Sequence, residues 1–599
     1  MKLNISLSKL VCLIILCLFA LTQFIDAPWD KKDGVVKSDV RGYYAYLPAL
    51  FINHDLKLED ISIYQDEYKP KIWYIESLDG VRYIKYPVGT AILYAPFFGL
   101  AHVYSGLAGY KQDGFSVPYL FALSMSALFY LSLALVFMRR ILRFYFSEVV
   151  VAITLLVVFF GTNAWNFFTF DACFSHGYSL SVIALFIYGT IKWLDTAGYK
   201  YALWIGFSVG SMILIRPIDV VFVLFLPLLF VRSGRELKER MVLFYTHKRQ
   251  VLIMMVVAFF CLVPQFLYFK YISGQWIFYS YTGERFFFNS PKVLEAMFSF
   301  RNGWLIYSPL MLLSLVGFFV VRKRHAGLFL SLLVVSAVYI FIIASWWCWW
   351  YVGFGNRAFI NLYPVLSIPL AAFIAFVLTK KWWWKLTLIC VLASGLALSV
   401  FQTLQYQRGV IHWGYMSKSA YVESFLRWNP TPLFTTHLEI PNIHKAMQGE
   451  NEVYQRLIDT VSVHKVNFEQ VDNFDWNHSS LIQEEVVFQG NKSMSLPGGV
   501  NYALNEKLEV KNANRIHITA WVKNPEEFSL CISYNDNQFY AQSGAVVNHK
   551  NGWDKIELYA EIPETVKNQE LMFFLWKING NHAYIDDIRI VLTHEKIVE

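Results

Sequence analysis

The sequence predicts a mainly helical, polytopic membrane protein with a C-terminal β-sandwich outside the membrane. Of its 599 residues, 56% are hydrophobic and only 16% are charged, whereas soluble domains carry about 25% charged residues. The first 400 residues contain many long apolar runs, and the last 120 alternate polar and apolar residues. The first pattern is typical of membrane helices and the second of strands.

Apolar runs need about 20 residues to cross a bilayer. The first run, Leu10–Phe24, also fits a secretory signal because Lys2 and Lys9 precede it. We interpret it as a first span, since many apolar runs follow. The predicted total is about eleven spans, the others lying near 116–138, 148–166, 174–193, 201–215, 217–232, 250–269, 303–321, 327–345, 358–379 and 384–402.

The apolar stretch Val88–Tyr104 decides the orientation of the later spans. If this stretch does not cross, every basic cluster falls on one side, which the positive-inside rule makes cytoplasmic. We therefore expect it to be re-entrant or interfacial. The N-terminus is then cytoplasmic, the C-terminal domain is extracytoplasmic, and the cytoplasmic clusters are 139–143, 192–200, 231–249, 322–325 and 380–385.

The composition changes after Phe401. The sequence predicts a transmembrane domain over 1–402, with a first external loop at 26–115 that holds juxtamembrane helices, and a helical linker over 403–480 that includes a helix at Glu452–His464. Residues 481–599 are expected to form a β-sandwich, because short alternating strands are separated by turn residues. The end of this segment, YIDDIRI, resembles the last strand of a carbohydrate-binding jelly roll. Its predicted strands lie at 515–523, 528–534, 553–562, 571–578 and 583–592.

Several classes of function lack their sequence signatures. The net charge of +8 comes without a basic tail or repeat, so nucleic acid is not an expected partner. Six of the seven cysteines lie in or beside apolar segments, which leaves no disulfide framework in the C-terminal domain. No Walker A loop, GxGxxG, HExxH or GxSxG motif occurs.

Two external stretches carry ionisable residues where apolar sequence begins. In KSDVRGYYAYLPALF (37–51), Asp39 is a candidate general base, and Arg41 and Tyr44 are candidate substrate contacts; an N-cap or an Asp39–Arg41 ion pair is the structural alternative. In IKYPVGTAILYAPFF (84–98), Lys85 and Tyr86 lie at headgroup level, where an ammonium suits a phosphate or simply reaches the interface.

Further ionisable residues fall on the same external side, and intramembrane charges are costly unless they have a function. Asp171 and His176 could share a metal or cap a helix, and Arg216 could bind an anion or pair with Asp219. The aromatic segments 270–302 and 345–360 suit sugar rings or an interfacial belt. They contribute the remaining substrate-binding candidates, Glu284, Arg285 and Arg357.

The order of these motifs resembles that of the GT-C glycosyltransferases that use polyprenyl-phosphate sugars, such as the aminoarabinose transferase and protein mannosyltransferase families. SDVRGYYAYLPALF is similar to their first-loop acid motif and KYPVGTAILYAPFF to their Lys/Pro segment. RNGWLIYSPLMLL (301–313) and GNRAFINLYPVLSIPLA (355–371) resemble later segments, so the resemblance covers roughly residues 1–400.

The resemblance implies an inverting transfer on the outer face of a bacterial inner membrane. Asp39 would act as the base, Lys85 would contact the phosphate of the donor, and the acceptor would be a hydroxyl of a lipid, glycan or protein. A divalent metal could bind Asp39, Asp171 and His176, although Asp39-Val-Arg replaces the adjacent Asp-Glu pair of the family. No other cofactor is expected.

Two other functions compete with this interpretation. An O-antigen ligase or polymerase would use external arginines and a histidine rather than Asp39. A transporter of lipid-linked sugars would place polar groups and broken helices at the bilayer midplane, often in inverted repeats. Here the polar residues cluster at predicted helix ends, and the sequence shows no repeat.

Overall fold

The computed structural model describes most of the chain, and it divides the chain into two compact units. Residues 1–429 with 443–451 form a helical unit, and residues 430–442 with 452–599 form a β-rich unit. The described residues are 5–65, 71–77, 80–431, 434–450, 455–466, 482–497, 502–524, 528–535, 539–566, 569–577 and 582–598.

Nineteen α-helices occur within the described residues, all but a few of them apolar. Pro217–Leu224, Pro309–Met311 and Arg357–Leu362 form 3-10 turns between them. The helices are α1 Leu7–Asp26, α2 Val40–Phe51, α3 Gly89–Ala108, α4 Val117–Arg143, α5 Glu148–Phe160, α6 Ala164–Phe168, α7 Ser175–Thr196, α8 Tyr199–Ile215, α9 Phe225–Leu228, α10 Gly234–Thr246, α11 Lys248–Ser273, α12 Val293–Phe298, α13 Trp304–Tyr307, α14 Leu312–Arg324, α15 Ala326–Ala344, α16 Tyr363–Leu378, α17 Trp382–Gln407, α18 Lys418–Ser424 and α19 Ile443–Gln448.

Eight helices of the described chain are long and apolar enough to cross a membrane, namely α1, α3, α4, α7, α11, α15, α17 and the segment Arg357–Leu378 that contains α16. A polytopic helical membrane protein is thus confirmed. Three further apolar segments form shorter helices, at Glu148–Phe160, Tyr199–Ile215 and Pro217–Leu228. Proline accounts for one break, because Pro217 lacks the N–H that would continue α8. The figure of eleven spans stays a prediction.

Helix α3 covers the stretch whose crossing was in question. It runs unbroken for 20 residues despite Pro96. Its first residue, Gly89, packs so closely on the backbone of Leu214 that an added Cβ would lie 2.4 Å from the Leu214 carbonyl carbon. Near its other end, His102 contacts the hydroxyl of Tyr119 at 2.6 Å. The two ends therefore contact the last turn of α8 and the first turn of α4.

The β-rich unit consists of two antiparallel sheets. A seven-stranded sheet has the order β10-β11-β7-β13-β5-β4, with β3 also paired to β13, and a four-stranded sheet has the order β6-β12-β8-β9. The strands of these two sheets are β3 Gln455–Val466, β4 Ile482–Gln483, β5 Ser493–Leu496, β6 Tyr502–Glu509, β7 Arg515–Lys523, β8 Phe528–Tyr534, β9 Phe539–Ser543, β10 Ala545–Lys550, β11 Trp553–Glu561, β12 Glu570–Lys577 and β13 Ala583–Val598, while β1 Ile75–Glu76 and β2 Arg82–Tyr83 pair in the helical unit.

Alternate residues of both sheets enter one apolar core, including Ile518 of the larger sheet and Phe573 of the smaller. The five predicted strands are present, so a C-terminal β-rich domain is confirmed, while its jelly-roll class stays a prediction. One prediction was wrong: within Glu452–His464, residues from Gln455 onward form β3 rather than a helix. Its run of β-branched residues suits a strand, and pairing with the long β13 satisfies its backbone.

Candidate functional site

The acid at the start of α2 is paired with an arginine far along the chain. Asp39 Oδ2 accepts from Arg357 Nη2 at 2.6 Å, and the two side chains are only 15% and 13% exposed. The neighbouring Arg41 binds Asp33 instead, at 2.6 Å. Of the interpretations given to Asp39, the local Asp39–Arg41 pair is therefore wrong, and the long-range pair tethers the segment between α1 and α2 to the loop before α16.

Backbone geometry brings Arg357 to this position. Gly353, Gly355 and Asn356 all have positive φ angles, of 133°, 59° and 47°. Such angles are accessible to glycine and tolerated by asparagine. An added Cβ on Gly355 would also lie 2.7 Å from Tyr307 Cβ. The GFGN loop can therefore turn tightly against Tyr307 and place Arg357 at the first position of the following 3-10 turn.

Tyr43 extends the site along α2. One helical turn after Asp39, its hydroxyl approaches Asp39 Oδ2 at 3.4 Å and accepts from the Ser175 hydroxyl at 3.1 Å. Burial raises the pKa of Tyr43, and the charge on Asp39 raises it further, while Arg357 and Arg216 lower it. Tyr43 therefore stays a neutral phenol within reach of both arginines.

Lys85 lies in a cage of aromatic rings next to Tyr43. Its ammonium pairs with the carboxylate of Glu284. It also lies 5.3 Å from the ring centroid of Trp73, 5.6 Å from that of Tyr86 and 5.1 Å from that of Tyr281. Such contacts stabilise a desolvated cation.

Tyr86 and Tyr281 connect this cage to the rest of the site. The ring of Tyr86 packs on the ring of Tyr43, 4.6 Å away. Burial raises the pKa of Tyr281, Tyr43 and Glu284 raise it further, and Arg216 lowers it. We name the resulting set the Asp39 cluster, and it comprises Asp39, Tyr43, Lys85, Tyr86, Arg216, Tyr281, Glu284 and Arg357.

His176 and Arg216 meet at the edge of this cluster. Arg216 Nη1 lies 3.0 Å from His176 Nε2, and the guanidinium faces the ring of Tyr351. His176 Nδ1 lies 3.1 Å from Asn361 Oδ1. The expected pairing of Arg216 with Asp219 is not the contact that forms. The Asp219 carboxylate instead accepts hydrogen bonds from Asn361 Nδ2 and the Tyr339 hydroxyl.

Asp171 lies apart from the Asp39 cluster. Its carboxylate binds Lys37 at 2.8 Å and Asn166 at 2.8 Å. Burial alone would lower the pKa of Lys37, but Asp171 overcomes it, so that the pKa is raised. The pair lines a small, partly open pocket. Asp171 and His176 therefore face different partners.

Three further candidates also point elsewhere. The Tyr44 hydroxyl donates to the carbonyl of Gly114 in the packed interior. The guanidinium of Arg285 lies over the ring of Phe287, 5.0 Å from its centroid, and Arg41 is held by Asp33. None of these contacts involves a member of the Asp39 cluster.

The donor set does not fit a metal ion. Asp39, Asp171 and His176 contact three different basic residues, namely Arg357, Lys37 and Arg216. Among the described residues, no group of three or more His, Cys, Asp or Glu side chains could hold a metal. Metal dependence stays a prediction.

Several residues of the site were not among the candidates from the sequence. Tyr43 was detectable, since it follows Asp39 by one helical turn. Trp73 and Tyr281 lie in aromatic stretches where no spacing distinguishes a site residue from an interfacial one. Asn361 lies inside an apolar segment, and a buried amide in such a run is the signal that could have found it.

No family model and no curated protein matches the chain. Two solved structures of oligosaccharyltransferase from Archaeoglobus fulgidus do match, each at 14% identity. The apo enzyme has a TM-score of 0.38 and the match covers 67% of this chain and 54% of that one. The AglB complex with an inhibitory peptide and a dolichol-phosphate has a TM-score of 0.41, with coverage of 71% and 60%.

The chain thus spans little more than half the length of these structures. At TM-scores below 0.5 the likeness carries no argument about donor, acceptor or mechanism, which are inferred from the site itself.

Proposed function

We propose that the protein is a GT-C membrane glycosyltransferase that moves a sugar from a polyprenyl-phosphate donor to a hydroxyl group of a lipid, glycan or protein. The observation that carries this proposal is the charge balance of the Asp39 cluster. Arg357 and Lys85 each contact one carboxylate, but in the described part of the chain no carboxylate lies within 4 Å of Arg216. Asp219 offsets part of the Arg216 charge from a distance, but its oxygens are occupied by Asn361, Tyr339 and Ser179. A buried guanidinium that no carboxylate contacts directly suits an anionic ligand such as a phosphate.

The reaction is a single displacement at the anomeric carbon. Asp39 takes the proton from the acceptor hydroxyl, whose oxygen bonds to the carbon as the bond to the phosphate oxygen breaks. The phosphate leaves with the bonding electrons. Lys85, Arg216 and Arg357 offset its growing charge, and each well-placed donor of this kind typically contributes about 3–4 kcal/mol to transition-state stabilisation.

The aromatic residues of the site suit the sugar. Trp73, Tyr86 and Tyr281 surround the ammonium of Lys85. An apolar ring face packs well against the C–H face of a sugar, and a phenol adds a hydrogen-bonding edge. We propose that the transferred sugar binds between this aromatic wall and Asp39.

Contacts at both ends of α3 support a site on the outer face of a bacterial inner membrane. Helices α8 and α11 start at predicted cytoplasmic loops, so Leu214 and Gln265 lie towards their outer ends. Gly89 packs on Leu214, and the N–H of Val88 donates to Gln265 at 2.8 Å. At its other end α3 meets Tyr119 at the outer end of α4. Both ends of α3 then face the same side, and the basic loops remain cytoplasmic.

A panel of polyprenyl-phosphate sugars tests the proposal. Purified protein is incubated with each donor and with lipid, glycan and peptide acceptors, with and without chelator, and released polyprenyl phosphate is measured. We expect turnover with one donor class and a loss of about 10²–10⁴-fold in Asp39→Asn, the usual contribution of a general base.

Binding of the donor to Asp39→Asn serves as the control. The amide keeps the shape of the side chain, so the variant should fold and bind donor. Turnover of Asp39→Asn at the wild-type rate would exclude Asp39 as the base. Absence of turnover with every donor would exclude the proposed function.

A further inference from the structure

A buried chain of hydrogen bonds runs behind Arg216. His176, Asn361 and Asp219 are all fully buried. Asn361 Nδ2 donates to Asp219 at 2.8 Å and 2.9 Å from the two carboxylate oxygens. The Tyr339 hydroxyl donates to Asp219 Oδ1 at 3.0 Å, and the Ser179 hydroxyl donates to Oδ2. Each oxygen of the Asp219 carboxylate therefore accepts two hydrogen bonds.

The chemistry of each group fixes the direction of every bond in this chain. An ionised Asp219 can only accept, so Asn361 must present its NH₂ group to it and its carbonyl oxygen to His176. His176 Nδ1 then carries the proton and donates to that oxygen. His176 Nε2 then carries a lone pair, and it accepts a hydrogen bond from Arg216, which can only donate.

Arg216 is consequently held by a neutral group. An aspartate in place of His176 would orient the guanidinium equally well but would cancel its charge. Arg216 Nε is buried and has no hydrogen-bond partner among the residues that the structure describes. A buried N–H without a partner is costly. The site thus keeps an oriented, charged guanidinium with at least one donor unused.

We propose that Arg216 binds the phosphate oxygens of the polyprenyl-phosphate donor, and that His176, Asn361 and Asp219 are positioning residues for Arg216. The inference rests on the proposed function, because it assigns the phosphate of that same donor. Asp219 acts through Asn361 and His176 by fixing the tautomer, and none of the three touches the substrate.

Binding of a polyprenyl monophosphate to the full-length protein in detergent tests this assignment. Polyprenol, which lacks the phosphate, and inorganic phosphate are the comparison ligands. We expect His176→Leu to weaken polyprenyl monophosphate binding about tenfold, the equivalent of one charge-assisted hydrogen bond. Binding of polyprenol should stay unchanged. If Arg216 recognises the phosphate alone, binding of inorganic phosphate should fall by the same tenfold. A loss confined to polyprenyl monophosphate would show that the polyprenyl tail is needed to bring the phosphate to Arg216.

His176→Gln provides the matched control for His176→Leu. A glutamine can accept from Arg216 through its oxygen and donate to Asn361 through its amide, so binding should fall by no more than about threefold. In Asn361→Asp the donor to Asp219 is lost, and binding should fall as in His176→Leu. A purely structural role predicts instead equal losses for polyprenol and polyprenyl monophosphate, and no rescue by glutamine.

The outcomes also separate this inference from the proposed function. Unchanged phosphate binding in His176→Leu, with wild-type transfer intact, would overturn the role of the hydrogen-bond chain alone. His176-dependent phosphate binding in a protein that transfers no sugar would overturn the proposed function but support the role of the hydrogen-bond chain. Failure of the wild type to bind polyprenyl monophosphate would overturn both.

Discussion

Two acid–base pairs begin only two residues apart in the segment between α1 and α2, yet the charges around them differ. Lys37 binds Asp171, whose other carboxylate oxygen is taken by Asn166. This pair is balanced in charge. Asp39 binds Arg357 within a cluster that contains two further cations. Of those, Lys85 is paired with Glu284 while Arg216 contacts a neutral histidine.

The difference indicates which pair stabilises the fold and which serves a ligand. A balanced pair with its hydrogen bonds satisfied has little to offer a substrate. In the Asp39 cluster no carboxylate contacts Arg216 directly, because Asp219 is occupied by Asn361, Tyr339 and Ser179. An oriented cation of this kind can still contact an anionic ligand, and perturbed charges are typical of functional sites. Proximity in sequence to Asp39 is therefore a poor guide, whereas charge balance in the folded protein is a good one.

The largest expected effect is on the transfer rate, and it distinguishes Arg357 from Arg41, the two arginines that could have paired with Asp39. Arg357→Met removes both the partner of Asp39 and the proposed phosphate contact, so transfer should fall on the order of 100-fold or more. Arg41→Met breaks only the contact with Asp33, and we expect most activity to remain. Transfer rates of both variants at saturating donor provide the measurement. Equal losses in the two variants would contradict the distinction.

A smaller effect, on stability, is expected at the balanced pair. Asp171→Asn leaves the half-buried Lys37 without its carboxylate, and we expect a loss of about 1–3 kcal/mol in unfolding free energy. The double variant with Lys37→Met should recover part of this loss, since it removes both charges. Thermal unfolding in detergent, with transfer measured alongside, checks the result. A loss of transfer at unchanged stability would place this pair in the reaction site instead.

The smallest effect at neutral pH is expected at His412, which belongs to neither region. Its Nδ1 accepts from the backbone N–H groups of Gly414 and Tyr415, and burial lowers its pKa from 6.5 to about 4. Because the folded state favours the neutral ring, His412 contributes stability above pH 6.5 that is lost as the pH falls towards 4.

A pH series of melting temperatures for wild type and His412→Gln measures this contribution. The variant should show a flatter decline between pH 6.5 and 4, with transfer at neutral pH little affected. An equal decline in both proteins would show that other groups account for the loss of stability in acid.

Part of the site was accessible from the sequence. Asp39, Lys85 and Glu284 stand out because charged residues are rare in apolar sequence and rarely lack a function there. Their partners were not accessible. Arg357 lies 318 residues from Asp39, and Glu284 lies 199 residues from Lys85. Local patterns carry no information on pairs so distant, and this explains why Arg41 was the ion-pair partner that the sequence offered as an alternative for Asp39.

For the fold as well, local features could be predicted from the sequence and long-range pairing could not. Helix length and strand alternation follow from local periodicity, which is why α4 and β7 were predictable. Residues 455–466 show the limit of such patterns, since their β-branched residues suit a strand, but only the pairing with β13 satisfies the backbone of that strand.

The sequence by itself thus determined the class of this protein, the positions of most elements and the rare ionisable residues in apolar surroundings, because these depend on composition and near neighbours. Only the tertiary structure decided which charges neutralise one another. Asp219, Asn361 and His176 illustrate the reason. Each comes from a different segment, and the proton position on His176 follows only once all three are buried together, where every donor must find an acceptor.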